Sequence, residues 1–116
     1  MTSKRIKPDE DEYEVWHRGL GNCPGFNIDF VECRRGRPVA FVEVTTSVMW
    51  PMEQNYFEAA MNKRSWQFNM MSKIARNNNI RLILVIRYRM EHFKVIEGFN
   101  FKDYDLKGYE EFIRGL

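Results

Sequence analysis

Phe26-Asn27-Ile28-Asp29-Phe30-Val31-Glu32-Cys33, then Arg34-Arg35-Gly36-Arg37-Pro38, then Val39-Ala40-Phe41-Val42-Glu43-Val44-Thr45 is the stretch that decides the fold. The first run alternates: Phe26, Ile28 and Phe30 fall on one face, Asn27, Asp29 and Val31 on the other. The third run is β-branched and aromatic. Between them, a basic segment carries Gly36 near its centre. Two such runs joined by a short Gly-containing turn predict a β-hairpin. With a three-residue loop centred on Gly36, Asp29 stands directly opposite Glu43. A register displaced by one residue would send the two acids to opposite faces.

That register gives the pair a chemical meaning. Two carboxylates directly across a hairpin repel unless something positive lies between them. Oxygen ligands partly open to water suit Mg²⁺, or Mn²⁺ in its place. Ile28, Phe30, Val31, Phe41, Val42 and Val44 surround the acids, and an acid inside apolar strands is costly unless it is paired or liganded. The competing reading is the solvated face of an edge hairpin, against which Val31 and Phe41 on the same face argue.

Working outward, residues 1–8 read as a loose polar arm. Residues 9–20 place Tyr13, Trp16 and Leu20 at helical spacing behind a run of acids that suits a helix start. Gly19, Gly21, Asn22, Pro24 and Gly25 break that helix. After a connection at Ser47–Pro51, residues 52–77 carry a long helical pattern, which Asn77-Asn78-Asn79 closes. Ile80–Tyr88 reads as a strand buried on both faces, Phe93–Ile96 as a short further strand, and Asp105–Leu116 as a final helix. A long helix between two strands is a crossover. The expectation is therefore one α/β domain over residues 1–116, with a mixed central sheet and flanking helices.

Composition bounds the function. The 116 residues are 44% hydrophobic and 15% aromatic, enough for a core without staples. The net charge of +2, from 18 basic against 16 acidic residues, does not by itself mark a nucleic-acid binder. Two cysteines and two histidines show no zinc spacing; Cys23 and Cys33 read as free buried thiols, with a disulfide as the alternative. A charged N-terminus without an apolar run, and no stretch long enough to span a bilayer, predict a cytoplasmic protein without a membrane partner.

Asp29 on one strand and Glu43-Val44-Thr45 on the next resemble the PD-(D/E)xK nuclease core, over residues 9–88. The look is closest to small archaeal and viral Holliday-junction resolvases. The resemblance implies a restriction-endonuclease-like core and metal-dependent hydrolysis of DNA phosphodiesters, with Asp29 and Glu43 as ligands of one or two Mg²⁺ ions. It also implies a further carboxylate on the first helix, Glu14 in preference to Glu12; the acids there also suit the helix start alone. Thr45 stands where the family carries Lys. Lys63 or Lys73 on the long helix could replace that charge, Gln67 on the same helix could position the water, or the site could bind without cleaving.

Other features have two readings each. Arg34, Arg35 and Arg37 at the hairpin tip, with Lys63 and Arg64, could grip phosphates, or simply keep a surface charged. Trp50-Pro51 could stack on a base or pack under a loop. Met49, Met52, Met61, Met70 and Met71 fill a core or a dimer seam. Tyr56, Phe57, Trp66 and Phe68 exceed what one helix face buries, which a homodimer would explain. His17 and His92 read as isolated. No nucleotide-cradling loop or small-molecule cofactor motif is present. Three functions compete: a Mg²⁺-dependent DNA endonuclease, structure-selective in one form; a degenerate nuclease fold that binds nucleic acid; and a protein-interaction module.

Overall fold

The computed structural model describes residues 8–22, 26, 28–51, 58, 61–62 and 65–116, with the backbone alone at residues 8–11. Its elements are α1 (Pro8–Arg18), β1 (Phe30–Arg34), β2 (Arg37–Thr46), α2 (Ser65–Asn77), β3 (Arg81–Tyr88), β4 (His92–Glu97), β5 (Asn100–Tyr104) and α3 (Leu106–Arg114). The expected segments at residues 1–7, 52–57, 59–60 and 63–64 lie outside the described residues, as does Cys23.

The strands form one sheet in the order β1-β2-β3-β4-β5. β2 and β3 run parallel, joined by the crossover that contains α2; the other three pairings are antiparallel. The sheet is mixed, as the crossover required. α2 packs on β3 and α3 on β4 and β5. On the α3 side, Ala40, Val42, Ile83, Val85, Phe93 and Val95 form the larger buried cluster, covered by Tyr109 and Phe112 of α3. On the α2 side, Phe41, Met71 and Ala75 form a smaller one, joined by Phe26, Ile28, Ile80 and Leu82. Residues of β2 and β3 thus alternate between two cores, and Ile83, Val85 and Ile86 are all buried.

The helix ends follow the sequence. Asn79 adopts φ 58, and the Ile80 N–H reaches back to the Ala75 carbonyl at 2.8 Å. Asn is one of the few side chains that accept this left-handed stop. Asp105 caps α3, its carboxylate accepting from the Gly108 N–H at 2.7 Å.

Three expectations need correction. A fifth strand, β5, follows a turn through Gly98 at φ 61. Its polar, mostly exposed sequence gives little alternation to read, because it is an edge strand with one paired side. Cys33 is a free thiol but exposed, since β1 is the other edge of the sheet. Tyr13, Trp16 and Leu20 do lie on and just beyond α1, yet all three are exposed.

Candidate functional site

The hairpin sets the site. Its turn is Arg35-Gly36, two residues with φ 55 and 76, the left-handed pair that matches strand twist. This corrects the three-residue loop centred on Gly36. Alone, a two-residue turn would pair Arg34 with Arg37 and carry a displaced register along the whole hairpin. A bulge intervenes: Cys33 faces Pro38, but Glu32 faces Ala40, so Val39 is the extra residue. Val39 and Ala40, sequence neighbours, both pack on the α3-side cluster, as a bulge allows. Pro38, with no N–H to offer the ladder, sits where the pairing is already irregular. Beyond the bulge Val31 faces Phe41 and Phe30 faces Val42. Asp29, one residue further, therefore comes to Glu43.

Asp29 is where the ladder stops. Its N–H donates to Glu43 Oε2 at 3.0 Å, and its own Oδ2 accepts from the Val44 N–H at 2.8 Å. Each acid thus binds the other strand's backbone in place of a strand-to-strand bond. The chain bends there: Phe30 begins β1 opposite Val42, while Phe26 and Ile28 turn to the α2-side cluster. The single face expected for Phe26, Ile28 and Phe30 does not form, because alternation breaks at Asp29.

Asp29 is exposed and Glu43 is 3% exposed. The second donor to Glu43 comes from the crossover helix, where Gln67 Nε2 donates to Glu43 Oε1. Gln67 lies one turn before Met71, which also accepts from Nε2 at 3.8 Å, and Met71 in turn lies one turn before Ala75. The stripe that buries α2 thus carries one polar residue, placed over the acid. A buried carboxylate without donors would be costly; two donors at its two oxygens offset the loss of water.

The other sequence-derived residues are distributed as follows. Thr45 is half-buried, two residues beyond Glu43 on the same side of β2. Glu14 is exposed on α1, and among the described residues no group of three or more His, Cys, Asp or Glu gathers to hold a metal, so no third described acid joins the pair. Lys63 and Arg64 lie outside the described residues. Lys73 is exposed and falls about 200° around the helix from Met71, away from the sheet. Arg34 is tied down: it bonds Glu32 at 3.1 Å, the Cys33 carbonyl at 2.9 Å and the Ile113 carbonyl at 2.6 Å. It straps the edge strand to α3, and does not stand free as a tip charge. Arg35 and Arg37 are exposed at the tip, the opposite end of the hairpin from the acids.

Two features escaped sequence reasoning. His92 is not isolated: its ring stacks on Trp50 at 4.8 Å and 3°, with Tyr88 at 6.1 Å. Trp50 is half-buried in this stack. Lys94 stands in one cross-sheet row with Thr45, because Thr45 pairs Ile86, Ile86 pairs Lys94 and Lys94 pairs Asp103. The signal was available in the tight turn between Tyr88 and His92, which fixes that register.

No protein-family model, curated protein or solved structure matches this chain.

Proposed function

We propose that the protein is a metal-dependent endonuclease that hydrolyses DNA phosphodiester bonds, built on a restriction-endonuclease-like core. One observation carries the reading: Asp29 and the buried Glu43 meet at the end of a hairpin, with Gln67 of the crossover helix bonded to Glu43. The element order supports it, a hairpin with an acid on each arm, then a crossover helix, then a strand parallel to the second arm. The donor set fits Mg²⁺, which binds through one or two carboxylates and keeps several waters. A carboxylate oxygen carries two lone pairs, so a carboxylate that accepts an N–H can also ligate an ion. Held by Asp29 and Glu43, the ion would acidify a water and offset phosphate charge. Hydrolysis joins one water oxygen to phosphorus, breaks one P–O ester bond and passes a water proton to the departing oxygen. Gln67, polar and adjacent, is the residue to orient that water.

A second reading, a nuclease fold that binds without cleaving, is favoured by Thr45, which offers no charge where the resembled motif has lysine. A second copy of the chain suits the exposed stripe Trp66, Met70 and Ile74 on α2, four residues apart each. No described helix is long and apolar enough to cross a membrane.

The test is cleavage of labelled linear, nicked and four-way DNA with Mg²⁺ or Mn²⁺, beside Asp29→Asn and Glu43→Gln. Each substitution is expected to lower the rate about 10²–10³-fold, as when one preorganised charge-stabilising group is removed. Cleavage that survives both would end the site assignment. Salt-sensitive binding without cleavage would favour the second reading.

A further inference from the structure

The carboxylate pair has a charge problem that the hairpin alone leaves open. A phosphodiester brought to Asp29 and Glu43 adds a third anion, and attack on phosphorus increases the charge on its oxygens. A cation fixed near those oxygens would stabilise that charge more than it stabilises the starting ester. Thr45 does not provide one.

The sheet does. Through Ile86, Lys94 lies in the row of Thr45, two strand spacings or about 10 Å away between Cα atoms. Strand alternation puts it on the α2 side, the side of Glu43, since Ile96 pairs with Leu84 and Leu84 with Glu43. Other described strand cations are elsewhere. Arg81 pairs Glu97 and lies over Phe112 on the α3 side. Arg87 bonds the Arg89 carbonyl, Arg34 bonds Ile113, and Lys102 lies over Tyr104.

Lys94 is at present turned the other way, its Nζ 3.0 Å from Asp103 Oδ1 on the edge strand, with the two side chains 23% and 57% exposed. A pair this open to water is weakly held. Its partner is therefore replaceable by a more highly charged group across the row.

We infer that Lys94 supplies the positive charge of the hydrolytic site, exchanging Asp103 for the phosphate held near Thr45 and Glu43, with Asp103 its resting counter-ion. The inference rests on the nuclease reading above.

The experiment measures kcat and KM on four-way and linear DNA with Mg²⁺, with thermal melts to confirm folding. Lys94→Gln is expected to lower kcat about 10²-fold with little change in melting temperature. Lys94→Arg should keep most of the rate, which a packing role for the stem would not require. Asp103→Asn should leave the rate unchanged or raise it, because it releases the ammonium. Thr45→Lys should restore a Lys94→Gln protein that still folds. Wild-type rates in Lys94→Gln, or equal losses in Lys94→Gln and Lys94→Arg, would overturn the assignment. So would failure of a folded Thr45→Lys, Lys94→Gln protein to recover. If the wild type is silent and Thr45→Lys cleaves, the acids are a nuclease centre and Lys94 is not its cation. If neither cleaves, both readings fall.

Discussion

The two faces of the sheet are built on opposite rules. The α3 face is apolar and closed: six buried residues of β2, β3 and β4 lie under α3, and Phe93 stacks flat on Tyr109 at 4.3 Å. The α2 face is smaller and interrupted. Below, Phe41, Met71 and Ala75 pack as a core; two residues along β2 from Phe41, the apolar pattern gives way to Glu43, held by Gln67 and the Asp29 N–H. One strand serves both: β2 sends Ala40, Val42 and Val44 to the closed face and Phe41 and Glu43 to the other. The difference teaches how apolar packing and buried polar groups are divided between the faces. The α3 face can hold the sheet together, so the α2 face can carry a buried charge.

The largest expected effect is on the closed face. Phe93→Ala removes a ring that is 2% exposed and its stack on Tyr109. Losses for buried Phe→Ala run about 3–5 kcal/mol, which denaturant unfolding would measure. On the proposed nuclease reading, DNA cleavage per folded molecule should be unchanged at low temperature, since the ring is on the far side of the sheet from Glu43. A loss of activity in the folded protein would blur the two-face division.

Gln67→Ala is the smaller, sharper test. It deletes the side-chain donor over Glu43 and leaves Met71 and Ala75 in place. Stripping a buried acceptor of one donor costs about 1–3 kcal/mol. Stability should fall, and on the proposed nuclease reading cleavage should fall with it. If Gln67→Ala is neutral to stability, Glu43 does not depend on Gln67 for its support.

These faces were unequally legible in the sequence. Burial of both sheet faces follows from the β-branched and aromatic run Val39–Thr45 and the apolar run Ile80–Tyr88, and Asn77-Asn78-Asn79 is readable as a helix stop. The opposition of Asp29 and Glu43 was reached through a loop that does not exist: the actual turn is one residue shorter, and the bulge at Val39 restores the difference. Local turn chemistry, Gly36 after an Arg, did not reveal the bulge; Pro38 beside it was the available sign. β5 went unread because an edge strand with four exposed residues of five has little apolar pattern. Gln67 comes from the family resemblance, and its bond to Glu43 goes with its place one turn before the buried Met71. Lys94 was overlooked because its partners in the row come from three strands, and no local window contains them.

The smallest effect concerns pH and belongs to the closed face. Burial, and secondarily the negative Glu32 on the neighbouring strand, push the Tyr109 phenol above its ordinary value. The folded state therefore holds this proton more tightly than the unfolded chain does. Its contribution is whole below the unfolded pKa, about 10, and is lost as pH rises from there through the raised folded value. Tyr109→Phe keeps the ring against Phe93 but has no proton to lose. Unfolding free energies measured from pH 8 to 11 should fall less steeply for Tyr109→Phe than for the wild type, with the two alike at pH 8. Subtracting one curve from the other removes the shared titrations of Lys and the other tyrosines. Glu32→Gln should lessen the slope in the same direction but by less, since burial is the larger cause. Parallel curves for Tyr109→Phe and the wild type would mean that the phenol titrates alike in both states, and that α3 covers its ring less completely than the stack on Phe93 requires.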